Sequence, residues 1–118
     1  MKYLALLAYE PTVWDEASEE TRQAYHQAHL DFHKAVAERA TLLAGEALAD
    51  VDAATTMRHV DGQVALTDGP FAETVEQIGG FYLVDAPDLD VMTDLCALLP
   101  TAYAIEIRPV VTIEGFES

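Results

Sequence analysis

DGPFAETVEQIGGFYLVDA, residues 68–86, joins a stiff, acidic turn to a long apolar run. Gly69 and Pro70 set the direction of the chain at the turn, because glycine allows conformations that other residues avoid and proline fixes one backbone torsion. Residues 79–86 (GGFYLVDA) then have the aromatic and branched composition of a β-strand. The segment therefore predicts one strand of a sheet, entered from a rigid corner.

The remaining apolar patterns predict further strands and two helices around this segment. Continuous apolar runs favour strands that are covered on both faces, and Ser18 followed by two acids is typical of a helix start. Asp61-Gly62 is a strong signal for a two-residue hairpin turn. In chain order the predicted elements are a strand at 2–9, a helix from Ser18 to about Arg39, a strand at 41–48, a hairpin at 55–69, a strand at 79–86, a helix at 87–100 and a strand at 104–113.

This order predicts a single domain over residues 1–118 with a ferredoxin-like α+β fold, βαββαβ with an inserted β-hairpin. Both helices then cover one face of the sheet. A bare apolar face is unusual on a soluble monomer, so we expect a symmetric homodimer that packs sheet against sheet. The face expected to be buried in this way carries Leu4, Leu6, Phe81, Leu83, Ile105 or their alternating neighbours.

Composition and charge exclude several classes of partner. Six basic and 21 acidic residues give a net charge of −15, which repels phosphate backbones and anionic lipids. No apolar run approaches the roughly 18 residues needed to cross a bilayer, and the first residues do not resemble a secretory signal. We therefore expect a cytoplasmic protein with no nucleic-acid and no membrane partner.

Cys96 is the only cysteine, and we expect it to be a buried hydrophobe.

A longer pattern resembles a known family. Residues 68–90 (DGPFAETVEQIGGFYLVDAPDLD), with GEAL at 45–48 and IEIRPV at 105–110, are similar to the YCII-related proteins, in particular to their DGPF-domain branch. MKYLALLAYE at 1–10 and HLDF at 29–32 extend the resemblance over nearly the whole chain. It implies a ferredoxin-like fold that dimerises as an α+β barrel. It implies no defined reaction, although the family resembles cofactor-free dimeric-barrel enzymes and DGPF proteins are associated with extracytoplasmic-function sigma factors.

His29 is the first candidate catalytic residue, because the resemblance implies a site histidine at this position. Its place in a stripe with Tyr25, Phe32 and Val36 predicts a ring that faces the sheet. Burial favours the neutral imidazole, which is a useful base. A core histidine that bonds the backbone is the alternative.

Asp68 is the second candidate catalytic residue, since the resemblance implies a site aspartate in the DGPF motif. An aspartate before glycine usually accepts the N–H two residues on, but Pro70 has none. Two alternatives remain for its carboxylate: a bond to the N–H of Phe71 or Ala72, or a position in a cleft.

Other polar residues near the motif are candidate substrate-binding residues. Two carboxylates close together raise one pKa and create a candidate acid, whereas a solvated acidic loop is the alternative. A basic residue here can neutralise one of these acids or hold an anionic substrate. The candidates are Glu46, Arg58, Glu73 and Glu76.

Metal and cofactor sites are not predicted. His26, His29 and His33 have helical spacing, but no HExxH pattern is present and solvated histidines are favoured over metal ligands. The sequence also lacks a nucleophile elbow, a phosphate-binding glycine loop and a dinucleotide fingerprint.

Two functions follow as hypotheses. The first is a small cofactor-independent enzyme in which His29 acts as general base or acid, Asp68 orients it, and Glu73 or Arg58 positions a small organic substrate. The alternative is a non-catalytic binding or regulatory module, an accessory to an extracytoplasmic-function sigma factor, that uses its acidic surface.

Overall fold

The computed structural model describes residues 1–116. Over this range the predicted elements are present, and the differences lie at their ends and in a short helix where a loop was expected. The elements are β1 (Lys2–Tyr9), α1 (Thr12–Asp15), α2 (Glu19–Arg39), β2 (Thr41–Ala47), a 3₁₀ turn (Val51–Ala53), β3 (Thr55–Val60), β4 (Gln63–Asp68), β5 (Gln77–Asp85), α3 (Leu89–Cys96) and β6 (Ala104–Pro109).

Four strands form an antiparallel sheet in the order β2-β5-β1-β6. The long helix α2 connects β1 to β2, and α3 connects β5 to β6. This order is the ferredoxin-like α+β arrangement, so the predicted fold class is confirmed. β6 ends at Pro109 rather than at residue 113. The N–H of Val110 bonds the carbonyl of Lys2 at 2.8 Å, and because β1 begins at Lys2, it offers no partner beyond that point.

The hydrophobic core lies between the sheet and the two longer helices. Alternate residues of β1 point into it, and α2 supplies Phe32 and Val36 from its apolar stripe. Cys96 is buried here, and burial raises the pKa of its thiol to about 11. The buried set is Tyr3, Ala5, Leu7, Phe32, Val36, Tyr82, Val84, Ala86, Met92, Leu95, Cys96 and Leu99.

Among residues 1–116, no helix or second sheet covers the other face of the sheet. Leu4 lies opposite Leu83, and Leu6 opposite Phe81, and all are half-buried by one another. Ile105 does not belong to this face, because it pairs with the core residue Leu7 and packs on the helix side. The backbone is 18 Å thick in its narrowest direction, which accommodates the sheet and one layer of helices.

The predicted hairpin projects from the body as a separate two-stranded sheet, here called the arm (Thr55–Asp68). Its turn has positive φ at Asp61 (51°) and Gly62 (79°), as a two-residue hairpin turn requires. The radius of gyration is 16.5 Å, whereas a compact chain of this length has about 13.5 Å. The arm thus leaves apolar side chains such as Val64 and Leu66 exposed.

Within residues 1–116, no helix is both long enough and apolar enough to cross a membrane.

Candidate functional site

A cavity of about 390 Å³ opens between the sheet and α2. This volume is in the range of small-molecule sites in proteins. We call it the histidine cavity, and it is lined by Leu7, Tyr9, His29, His33, Leu42, Gly45, Glu46, Ala47, Gly79, Gly80, Phe81, Tyr82 and Tyr103.

The apolar stripe of α2 places His29 at this cavity. The helix begins at Ser18, whose hydroxyl accepts a hydrogen bond from the N–H of Thr21 at 3.1 Å. Phe32 and Val36 are fully buried against the sheet, so His29, on the same face, also turns toward the strands. The ring is only partly covered, which leaves it open to the cavity.

Both ring nitrogens of His29 are held by tyrosine hydroxyls. Nδ1 lies 2.7 Å from Oη of Tyr82 on β5, and Nε2 lies 2.9 Å from Oη of Tyr103, which precedes β6. A neutral imidazole donates through one nitrogen and accepts through the other, so the two tyrosines take opposite roles. The alternative of a core histidine bonded to the backbone is therefore not what is found.

His33 joins the same cluster one turn further along α2. Its Nε2 lies 3.2 Å from Oη of Tyr82, and the side chain is exposed. Tyr82 is thus in contact with two imidazoles at once. Among residues 1–116 no three His, Cys, Asp or Glu side chains are grouped so as to hold a metal ion.

Tyr9 and two glycines complete the wall of the cavity. The rings of Tyr9 and Tyr103 stack with centroids 4.9 Å apart. A Cβ at Gly45 would lie 2.5 Å from Cδ1 of Tyr82, and one at Gly79 would overlap the hydroxyl of Tyr9. Glycine at these two positions therefore gives the tyrosine rings their space.

Burial favours the neutral forms of His29 and of the three tyrosines around it. It lowers the pKa of His29 below the ordinary 6.5, and the positive charges of His33 and His26 lower it further. Burial likewise raises the pKa of Tyr82 and, with smaller effects of the neighbouring tyrosines, raises the pKa of Tyr103 to about 12. Burial, and then the charge of Asp50, raises the pKa of Tyr9. These four side chains therefore present neutral donors and acceptors, beside the carboxylate of Glu46.

Asp68 lies outside the histidine cavity. It ends β4 with an exposed side chain, and within residues 1–116 its carboxylate makes no side-chain hydrogen bond or ion pair. Two hydrogen bonds to the backbone of Gly69 hold the turn instead. The N–H of Gly69 donates to the carbonyl of Ala54 at 2.8 Å, and the hydroxyl of Thr56 donates to the carbonyl of Gly69 at 2.9 Å. Within one chain, Asp68 and His29 are not brought together.

The four predicted substrate-binding residues are also dispersed. Glu46 on β2 lines the histidine cavity. Arg58 lies on the arm, with its guanidinium 5.2 Å from the ring centroid of Phe71. Glu73 and Glu76 are exposed in the loop that follows Asp68.

A second cavity, of about 440 Å³, lies beneath that loop, which we call the DGPF loop (residues 69–76). Its ionisable lining side chains are Asp50 and Glu76, and the others are mostly apolar, including Pro70, Phe71 and Ile78. No imidazole or basic group reaches it among the described residues. The histidine cavity is the better candidate site because its wall brings an imidazole with a shifted pKa together with tyrosine hydroxyls.

Sequence reasoning missed the tyrosines of the site. Tyr82 alternates with Val84 on the core side of β5, and a buried tyrosine usually has a hydrogen-bond partner for its hydroxyl. That alternation was the available signal. No comparable signal marks Tyr103, which lies in the turn between α3 and β6.

Comparison with known proteins gives two matches. The family model of the YCII-related domain matches residues 1–114. An uncharacterized protein of Rhizobium meliloti (strain 1021) is 44% identical over 66 residues, an alignment that covers 52% of this chain and 53% of that protein. The chain thus spans about half the length of the curated relative that it matches.

Proposed function

The chain belongs to the family of YCII-related domain proteins, and from this premise we propose that it is a small cofactor-independent enzyme in which His29 is the general acid–base. One observation carries the proposal. A partly buried, neutral imidazole is bound through both nitrogens to tyrosine hydroxyls at the wall of a ligand-sized cavity. A purely structural histidine needs no such opening.

Proton transfer to and from carbon next to a carbonyl group is the chemistry that this arrangement supports. Tyr103 lines the cavity, and its hydroxyl can donate to a carbonyl oxygen, or accept a proton, while Nε2 of His29 exchanges a proton with that hydroxyl. Because the tyrosine pKa is about 12, the hydroxyl stays protonated until a transfer is coupled to His29.

The substrate is expected to be small and uncharged. Glu46 is the only carboxylate among the lining residues, and no Lys or Arg is among them. The net charge of −15 also disfavours an anionic substrate. Arg58 remains a predicted substrate contact, although in one chain it lies on the arm over Phe71.

Deuterium exchange provides the test, since it detects proton abstraction without knowledge of the complete reaction. A panel of small neutral ketones and diketones in D₂O is followed by proton NMR. We expect the protein to accelerate exchange of at least one member, and His29→Ala to lower that rate by about 10²–10⁴-fold. His26→Ala, an exposed histidine on the same helix, is the matched control and is expected to retain the rate.

Two results would contradict the assignment. One is an exchange rate that survives in His29→Ala. The other is binding of panel members in the histidine cavity, seen as shifts of the Tyr103 resonances, without accelerated exchange.

A homodimer is part of the proposal, supported by the partly exposed apolar side chains Leu4, Leu6, Phe81 and Leu83 on one sheet face. Asp68 has a place in catalysis only if a second copy carries its arm to the cavity, because a single chain does not. Mixing His29→Ala with Asp68→Asn chains tests this arrangement, since a site shared between copies regains activity in mixed dimers. If mixtures stay as inactive as their components, Asp68 does not act across an interface.

The second candidate function is a regulatory module, an accessory to an extracytoplasmic-function sigma factor. The exposed apolar arm and the charge of −15 favour this alternative, because both suit a protein partner with basic surfaces. Capture of a purified sigma factor at low salt, with release at high salt, would support it. Capture that is insensitive to salt, or none, would count against it.

A further inference from the structure

A continuous chain of hydrogen bonds runs from the protein surface to the histidine cavity. His33 is exposed, and its Nε2 contacts Oη of Tyr82 at 3.2 Å. Tyr82, only 7% exposed, contacts Nδ1 of His29 at 2.7 Å, and Nε2 of His29 contacts Oη of Tyr103 at 2.9 Å. Each link joins a group that can both donate and accept.

These four side chains can satisfy their hydrogen bonds in two ways. In the first, Nε2–H of His33 donates to Tyr82, Tyr82 donates to Nδ1 of His29, Nε2–H of His29 donates to Tyr103, and the Tyr103 hydroxyl points its proton into the cavity. In the second, every bond is reversed, and Tyr103 presents a lone pair to the cavity. A charged His33 has protons on both nitrogens and so permits only the first.

We propose that His33, Tyr82, His29 and Tyr103 form a proton relay that connects solvent with a ligand in the histidine cavity. The inference rests on the proposed function and adds His33 as the entry point for protons. His33, which also lines the cavity, is then a positioning and relay residue rather than a solvated bystander.

Each transfer through the relay is balanced. A ligand that accepts the Tyr103 proton leaves an oxygen that takes Nε2–H from His29. Nδ1 of His29 then takes the Tyr82 proton, and Tyr82 takes Nε2–H from the imidazolium of His33. The net result is a protonated ligand and a neutral His33, which solvent reprotonates. Proton abstraction from a ligand follows the same path in reverse.

Other ionisable groups surround the relay without belonging to the chain of hydrogen bonds. His26 is the strongest alternative entry point, since its charge lowers the pKa of His29, but it makes no hydrogen bond to the cluster. The remaining groups that face the cluster are Tyr25 on α2, Tyr9 on β1 and Glu46 on β2.

The relay predicts that protonation of His33 selects the tautomer of His29. Long-range ¹H–¹⁵N spectra of the ligand-free protein distinguish the two neutral tautomers of His29. They also distinguish the protonated ring from both, because protonation makes the chemical shifts of its two nitrogens similar. As pH rises through the midpoint of His33, we expect the Nδ1–H form of His29 to gain population. In His33→Ala this response should be lost, whereas in His26→Ala it should persist.

Tyr82→Phe provides a second break in the relay that keeps the ring packed on Phe32. An unchanged tautomer of His29 across the His33 midpoint in the wild type overturns the relay, and so does a response that survives in His33→Ala. If Tyr82→Phe fails to fold, the comparison of the two histidine variants still decides. Because the measurement needs no ligand, a failed relay leaves the deuterium-exchange test of His29 intact, and a failed exchange test leaves the tautomer response measurable.

Discussion

His29 has a lowered pKa that makes folding stability depend on pH. Because the folded state disfavours its charged form, the unfolded chain binds more protons between the folded-state pKa and the ordinary 6.5. The free energy of unfolding therefore falls as pH is lowered through 6.5, and this loss levels off below the folded-state pKa.

Urea unfolding of the wild type and of His29→Gln, at a series of values from about pH 5 to 8, checks this. We expect the free energy of unfolding to depend less steeply on pH in His29→Gln than in the wild type. The exposed His26→Gln should keep most of the wild-type dependence. Equal slopes in the wild type and His29→Gln would mean that the imidazole is not desolvated in solution.

Gly45 gives the ring of Tyr82 its position. Since a Cβ there would lie 2.5 Å from Cδ1 of Tyr82, Gly45→Ala should displace the ring, at a cost of about 1–3 kcal/mol in the free energy of unfolding. The His29 ring nitrogen resonances should shift at the same time. Gly62→Ala is the control, because its φ of 79° makes it destabilising at a site remote from the ring. Unshifted His29 resonances in Gly45→Ala would contradict the expectation.

The catalytic candidates were only partly predictable from sequence. His29 became a candidate through the family resemblance, and the helical stripe predicted only that its ring faces the sheet. Tyr82 and Tyr103 meet His29 only through the pairing of β5 and β6 with β1, a long-range arrangement that local patterns do not contain. The distance from Asp68 to His29 depends on the direction of the arm, which no periodicity encodes.

Secondary-structure elements were predicted better, because capping and turn residues act locally. Ser18 begins α2, and Asp61-Gly62 forms the hairpin turn, as expected. The predicted end of β6 was wrong. β6 runs antiparallel to β1, so it ends beside Lys2, where β1 begins.

The helix α3 depends on a cap that can be removed without disturbing the core. The carboxylate of Asp88 accepts a hydrogen bond from the N–H of Val91 at 2.9 Å. We expect Asp88→Ala to lower the free energy of unfolding by about 1 kcal/mol, measured as a reduced urea midpoint with an unchanged slope. Asp88→Asn, which keeps an acceptor, should be close to the wild type. A loss of equal size in both variants would point to charge rather than capping.

Over the described residues 1–116, one face of the sheet has no helix or second sheet packed on it, and the proposed homodimer follows from this. Leu83→Lys places a charge among Leu4 and its neighbours, and we expect it to convert dimers into chains of 12.9 kDa in sedimentation experiments. Leu30→Lys is the matched control, because Leu30 is 47% exposed on α2. A wild type that sediments as a monomer would remove the dimer from the proposal.

The single thiol of the chain allows the rate of local unfolding at α3 to be measured by chemical labelling. Cys96 is buried among core residues, and a pKa of about 11 keeps it protonated and slow to react. A reagent that alkylates thiols can therefore label the folded protein only when α3 separates from the sheet. We expect the labelling rate at saturating reagent to equal the rate of that opening, and to rise in Asp88→Ala. Bound ligands in the histidine cavity would then be detectable, without any assay of turnover, as compounds that delay the modification.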